Sequence, residues 1–373
     1  MQPVWLRPAM ALAAVTLLTG PAPAEPPGFK ALAIGDPAPD FQLPGVDGRT
    51  HALKDFADAR VLVVVFTCNH CPTANAYADR IRQLHADYKD KGVALVAVSP
   101  NDPLAVRLDE LGYTDVGDSF ADMKVRAKEK PFPFPYLYDG ETQKTSLAYG
   151  VLATPHVFVF DRDRKLRYNG RVDDAEVKPP KSHDARNAIE AVLAGKPVPV
   201  EKTRVFGCST KWSDKREDAK RALEQWDKEP VKVDEIDDAG VAKLARNDTK
   251  KLLVINVWAT WCGPCVAELP EFVTMNRMYR RRDFQLVTLC LDDPEKKDAA
   301  LKALQDKKVA ATNYLVRTKD RDRFADALDK EWPGPVPYTL VVAPGGKVLY
   351  RKAGAVEPLA VRRAVVGFLG RTY

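Results

Sequence analysis

Two short strings hold the residues best suited to chemistry: Cys68-Asn69-His70-Cys71 and Cys262-Gly263-Pro264-Cys265. A thiolate, not a thiol, attacks a disulfide, and a second sulfur three positions on can displace what the first has bound. Each string follows a run of strand formers, Val61 to Phe66 and Leu252 to Trp258, and precedes apolar residues at helical spacing. A cysteine at a helix start faces unpaired backbone N–H groups and the positive end of the helix dipole. This stabilises the anion and lowers the thiol pKa from about 8.5 toward 7 or below. Both strings therefore read as dithiol centres, with Cys68 and Cys262 attacking and Cys71 and Cys265 resolving. No cofactor is expected beyond the redox-active disulfides Cys68–Cys71 and Cys262–Cys265.

The residues between the sulfurs differ. His70, as a cation or a hydrogen-bond donor beside the Cys68 thiolate, favours the reduced form and makes a better oxidant. Gly263-Pro264 offers no charge and suits a reductant. The first centre is therefore expected to have the higher reduction potential, with electrons running from the Cys262 pair to the Cys68 pair.

A zinc site built from both pairs fits poorly, since paired Cys-x-x-Cys ligands usually stand some ~15–20 residues apart and these pairs lie in separate predicted units. A small structural disulfide would close little chain and stabilise little. Cu(I) held by soft Cys ligands with His70 or His156 is the binding-class alternative. Cys290, inside Gln285 to Leu291, reads as a core thiol. Cys208, beside Gly207 in a connecting stretch, reads either as a passive thiol or as a resolving partner for the Cys68 centre.

The elements that must position these sulfurs form two units on one plan. Each has a strand, a Cys pair, a helix, a second buried strand, a late hairpin and a closing helix. The hairpins fall at 157–160/166–169 and 338–342/348–350. Crossovers imply parallel pairing and the hairpins add antiparallel strands, giving two tandem α/β domains with mixed sheets flanked by helices. The 373 residues allow two or three domains at roughly 100–200 residues each. We expect units at 33–197 and 232–373 with a helical connector at 198–231. The 45% hydrophobic and 29% charged content is that of a soluble globular chain, and a net charge of +6 without one-sign blocks argues against nucleic acid as a partner. Arg280-Arg281-Arg282 reads as a solvated helix end.

Arg7, the apolar run Ala9 to Leu18, and Ala22-Pro23-Ala24 read as a signal peptide over 1–24. The run is well short of the ~18–20 residues that span a bilayer, so no stable membrane span is expected after cleavage. The mature chain is expected in the periplasm or outside the cell, where a reducing Cys pair needs an upstream electron donor.

Asn256-Val257-Trp258-Ala259-Thr260-Trp261-Cys262-Gly263-Pro264-Cys265 resembles the active-site strand and helix start of thioredoxin-fold proteins, in particular the TlpA/ResA-like thiol-disulfide oxidoreductases, over residues 232–373. The resemblance implies disulfide exchange with protein thiols. It also implies a cis-proline at Pro337 beside which substrate peptide pairs, a tuning carboxylate at Glu268, a helix kink at Pro270, and a supporting role for Trp261. Residues 33–197 resemble the redoxin (AhpC/TSA-like) branch through Ala38-Pro39-Asp40-Phe41-Gln42-Leu43, Phe66-Thr67-Cys68-Asn69-His70-Cys71-Pro72 and Thr154-Pro155-His156-Val157-Phe158-Val159-Phe160-Asp161, with Pro155 as the matching proline. That branch's peroxide string, Pro-x-x-x-Thr-x-x-Cys, is absent, because Val61 and Val65 stand where its Pro and Thr would be. This counts against thiol peroxidase activity. Some exported thioredoxin-fold proteins are copper chaperones, but their Cys spacing is longer.

Overall fold

The computed structural model describes residues 26–318 and 320–373, so the leader read at 1–24 lies outside the described residues. The first unit runs β1 (Gln42–Pro44), β2 (Thr50–Ala52), β3 (Val61–Phe66), α1 (Pro72–Tyr88), β4 (Val93–Ser99), α2 (Phe120–Glu129), β5 (Tyr136–Tyr138), α3 (Lys144–Tyr149), β6 (Ala153–Thr154), β7 (His156–Phe160), β8 (Leu166–Gly170) and α4 (Asp184–Leu193). The connecting stretch adds β9 (Cys208–Ser209) and α5 (Arg216–Trp226). The second unit runs β10 (Asp234–Asp237), α6 (Asp238–Arg246), β11 (Leu252–Trp258), α7 (Gly263–Tyr279), β12 (Phe284–Cys290), α8 (Lys297–Asp306), β13 (Thr312–Arg317), α9 (Arg321–Leu328), β14 (Tyr338–Val342), β15 (Val348–Ala353) and α10 (Pro358–Leu369).

The unbroken apolar run of β3 becomes the centre of a five-stranded sheet ordered β5-β4-β3-β7-β8, parallel to β4 and antiparallel to β7. Every residue of β3 is buried because both faces are covered. Val61, Val63 and Val65 pack toward Tyr77 and Ile81 of α1, while Leu62, Val64 and Phe66 pack toward Tyr149 and Phe158. In the second unit β11 takes the same place in a six-stranded sheet, β10-β13-β12-β11-β14-β15. Its Leu253, Ile255 and Val257 face Phe324 and Leu328, and its Leu252 and Val254 face Phe272 and Met275. Both late hairpins form, β7/β8 and β14/β15. The two units are thus mixed sheets flanked by helices, as the alternation of strand and helix implies.

The connector does more than bridge. Its early part folds onto the first unit: Asn169 N–H donates to Glu201 O, β9 pairs antiparallel with β6, and Trp212 joins the first core. The arginine run is a helix end, exposed at Arg280 and Arg281, that also makes junction contacts. Arg280 bonds Glu229, Arg281 pairs with the buried Asp109, and Arg282 donates to Gly112 O and lies over the Tyr113 ring. The Arg280 contact reaches the connector, whereas those of Arg281 and Arg282 fasten the end of α7 to residues 109–114 of the first unit, where the Tyr279 hydroxyl also donates to Thr114 O at 2.9 Å. Among the described residues no helix is long and apolar enough to cross a membrane.

Candidate active site

In the second unit β11 delivers the chain to Cys262, which is the N-cap of α7 in extended conformation, and its Sγ accepts from Cys265 N–H at 3.3 Å. Pro264 stands in the first helical turn, where a missing N–H costs nothing. Cys262 and Cys265 are joined as a disulfide. Both sulfurs are buried, but Trp261 beside them is 55% exposed, an apolar surface at the mouth of the site. Pro337 follows a cis peptide bond, and its neighbour Val336 packs against the cluster that holds Cys262 and Cys265. Glu268 is buried one turn beyond Cys265. Its Oε1 accepts from Asn256 Nδ2 at 2.9 Å and its Oε2 from Val356 N–H at 3.1 Å. Burial outweighs those bonds and pushes its carboxyl above the usual range. Pro270 lies inside α7. Cys290 sits in the same core cluster, fully buried, its thiol pushed up by burial.

The first centre is built differently. Helix α1 begins only at Pro72, so its N-cap is the second cysteine, Cys71, while Cys68 stands off the helix. The expectation that the first Cys of each pair caps a helix holds for Cys262 and fails for Cys68. The cause is local. A residue before proline is disfavoured in the helical region, and Cys71 is extended (φ −73°, ψ 120°). The amides of Asn69 and His70, which an earlier helix start would use, instead donate to Asp118 Oδ1 at 2.9 and 3.1 Å.

Asp118 organises this centre. Fully buried, it also accepts from His70 Nδ1 at 2.5 Å and from Asn101 Nδ2 at 2.7 Å. Burial alone would raise its carboxyl; the charge and hydrogen bond of His70, with Asn101 and the amides, overcome that and lower it. Burial opposes the charge on His70, but the Asp118 carboxylate raises its pKa, so the two form a buried ion pair. His70, expected as a cation or a hydrogen-bond donor beside Cys68, is paired first with Asp118. Its Nδ1 lies 3.6 Å from Cys68 Sγ but is held by Asp118. Burial, the neighbouring Cys71 and the charge of Asp118 push the Cys68 thiol well up.

The sulfur arranged to carry charge is Cys71. Its Sγ accepts from Ala74 N–H at 3.4 Å, at the helix start, and from Cys208 N–H at 3.3 Å. Burial works against the anion, but hydrogen bonds from the Cys208 and Cys68 thiols, the His70 charge and the Ala74 amide bring the Cys71 thiol well below its ordinary value. Thr154, just before the cis bond to Pro155, touches both sulfurs: its Oγ1 is 3.1 Å from Cys68 Sγ, and its carbonyl accepts from the Cys71 thiol at 3.2 Å when Cys71 is protonated. Cys208 packs against Cys68, Cys71 and Ala74.

The structure thus gathers Cys68, His70, Cys71, Pro155 and Cys208 at one place and Trp261, Cys262, Cys265, Glu268 and Pro337 at another. Sequence reasoning missed Asp118 and Asn101 and gave Thr154 no role. Asp118 is 49 positions from Asn69 and precedes the N-cap Ser119, so in sequence it reads only as part of a helix start. His156 cannot serve as a metal ligand here: its Nε2 meets Asn169 Oδ1 at 2.5 Å, its Nδ1 accepts from Leu152 N–H, and burial pushes it down to about 4. One atom each of Cys68, His70 and Asp118 lie within 4.8 Å of one another.

Residues 34–169 match the AhpC/TSA family and residues 232–365 match the Redoxin family. The chain is 27% identical over 139 residues to the thiol-disulfide oxidoreductase ResA of Geobacillus thermodenitrificans, covering 37% of this chain and 68% of that protein. It is 30% identical over 137 residues to a protein of Mycobacterium tuberculosis named "Putative peroxiredoxin Rv2521", covering 36% of this chain and 82% of that protein. An uncharacterized conserved protein from Geobacillus kaustophilus, known as a crystal structure, is 37% identical, with 48% of this chain and 93% of that chain covered and a TM-score of 0.43.

Proposed function

From the premise that this chain belongs to the redoxin group of thioredoxin-fold proteins and carries two such domains in tandem, we propose that it is a thiol-disulfide oxidoreductase exchanging disulfides with protein thiols through two unequal centres. The observation that carries this reading is that each Cys pair sits where a central strand ends and a helix begins, with backbone N–H groups aimed at one sulfur. In the second centre Cys262 attacks and Cys265 resolves. In the first centre Cys68 lines a cavity with Asn75, Arg126 and Tyr136, and Cys71 is the sulfur whose contacts favour the anion, so a proton passes from Cys68 to Cys71 as Cys68 attacks a disulfide. The partner's disulfide bond breaks as the Cys68–partner bond forms, and the sulfur released takes the proton from Cys71; the Cys71 thiolate then closes onto Cys68, the Cys68–partner bond breaks, and the second partner sulfur leaves as a thiolate. In the same reading the reduced Cys262 pair reduces the oxidised Cys68 pair.

The chain would work after export, released from its 1–24 leader into the periplasm or beyond the cell, with an upstream donor supplying electrons to Cys262. Insulin-disulfide reduction by Cys68→Ser and Cys262→Ser variants tests the reading: each change should depress the rate, and a rate untouched by both would sink it. A Cys265→Ser chain should trap partners as mixed disulfides on Cys262.

A second reading, copper binding, draws on the Cys68–His70–Asp118 cluster. Against it, His70 Nδ1 is already bonded to Asp118, and a carboxylate is a hard ligand for a soft ion. Copper that stays with the purified chain and is lost in Cys68→Ser would favour it. Peroxide turnover has Val61 and Val65 against it, both buried in β3 with no polar group to offer a peroxide.

A further inference from the structure

We propose that the connector segment around β9 is a resident peptide of the first centre, and that Cys208 is its third redox thiol, taking the disulfide from Cys68–Cys71 as Cys71–Cys208. The inference rests on the first centre being an exchange site.

The edge of β6 borders the first-centre sulfurs, since Thr154 touches Cys68 through Oγ1 and Cys71 through its carbonyl. An extended peptide pairing on that edge would carry its side chains straight to the two sulfurs. The connector already does so: β9 pairs antiparallel with β6 in the register Thr154 to Cys208 and Ala153 to Ser209. The pairing is tight enough to specify its own sequence. Gly207 has φ +137°, a region that side chains rarely adopt, and a Cβ there would collide with the Thr154 carbonyl. Beyond β9, Lys211 N–H donates to Asn101 Oδ1 at 2.9 Å, and Asn101 in turn bonds Asp118. The segment is therefore tied at both ends to the groups that build the centre.

The register brings the Cys208 side chain against the pair. Cys208 packs on Cys68, Cys71 and Ala74, and its backbone N–H donates to Cys71 Sγ at 3.3 Å. Once an external disulfide has been reduced and Cys68–Cys71 has formed, the Cys208 thiolate attacks the Cys71 sulfur. The Cys71–Cys208 bond forms and the Cys68–Cys71 bond breaks. Cys68 leaves as the thiolate and takes up the proton that Cys208 gave up, so no electrons enter or leave. The product holds β9 covalently on the β6 edge and returns a free Cys68 to the cavity.

The test is disulfide mapping of the full chain, reduced and then equilibrated in a glutathione redox buffer, alkylated and cut with trypsin. Residues 61–80 carry Cys68 and Cys71 on one peptide, and residues 205–211 carry Cys208 on another. The expected product is these two peptides cross-linked, with one alkylated thiol, Cys68. Gly207→Ala, which pries β9 from β6, should lose most of that cross-link yet still form Cys68–Cys71. A Cys68–Cys71 disulfide with Cys208 fully alkylated in the wild-type chain would overturn the inference and leave the exchange reading standing. Alkylation of all three thiols at every buffer ratio would overturn both.

Discussion

The two centres share a plan and differ by one turn of helix. Cys262 is the N-cap of α7, whereas in the first unit the N-cap is Cys71, three residues later, and Cys68 is left outside the helix. The helix start gives its N–H groups to the first sulfur in one case and to the second sulfur in the other. The position of proline accounts for much of this. Pro264 lies between the cysteines and follows Gly263, which has no Cβ to clash with the proline ring and enters the helix freely; Pro72 follows Cys71 directly and holds it extended. Asp118 completes the difference by taking the freed amides and the His70 ring into a buried polar cluster, where the second centre has Glu268 in a site that favours its neutral form.

That comparison can be broken most sharply at the sulfurs. With the second pair kept as the disulfide, the thiolate absorbance of the first centre at neutral pH should belong to Cys71. Cys71→Ser should remove it, a loss of about tenfold or more in thiolate at pH 7 if the remaining thiols return to ordinary values or above. Cys68→Ser should retain a large part of it. The opposite pattern would mean that Cys68 carries the charge and that the two centres are alike after all.

Asp118→Asn comes next. It leaves His70 without its counter-charge inside the protein and should cost about 3 kcal/mol of stability. The pH window follows from the two shifts. Asp118 has a lowered folded pKa, so its contribution is present above the unfolded value near ~3.9 and is lost as pH falls through the folded one. His70 has a raised folded pKa, so its contribution is full below the unfolded value near ~6.5 and is lost as pH rises through the folded one. Urea unfolding should therefore find the gap between wild type and variant widest between about pH 4 and 6.5, narrowing on both sides. The same change should lower the Cys68 thiol, since the Asp118 charge is one of the causes holding it up.

Glu268→Gln should do least, under about 1.4 kcal/mol, a single pKa unit's worth. The raised carboxyl pKa of Glu268 means that the wild-type fold gains stability as pH falls from neutral through that pKa. The variant should lack this gain. An identical pH profile of unfolding for both chains would remove Glu268 from the account.

Much of this was legible in the sequence. The unbroken runs Val61 to Phe66 and Leu252 to Trp258 became the central strands, and the hairpins fell where the turns at 161–163 and 344–346 put them. The four cysteines of the two pairs stood out because their spacing is local and their chemistry unusual, whereas the prolines at 155 and 337 came from the family resemblance. Asp118, Asn101 and the docking of Cys208 were not, because each depends on segments brought together by the sheet from far along the chain. The start of α1 belongs to a third class: the rule about residues preceding proline applies to Cys71-Pro72 in the sequence, and the shared Cys-x-x-Cys spacing masked it. The arginines at 280–282 fall with Asp118, since their partners Asp109, Gly112 and Glu229 are distant in sequence.

We expect the centres to be unequal in redox poise, because the first aims two backbone N–H donors and the neighbouring thiols at Cys71, which favours the anion there and with it the reduced form. The direct measurement is the reduction potential of each pair in the intact chain, read by mass spectrometry of alkylated peptides across a series of thiol–disulfide buffers. The account predicts a higher potential for the Cys68 centre than for Cys262–Cys265, by at least about 30 mV, a tenfold difference in equilibrium constant. Equal potentials, or a lower one at Cys68, would contradict it.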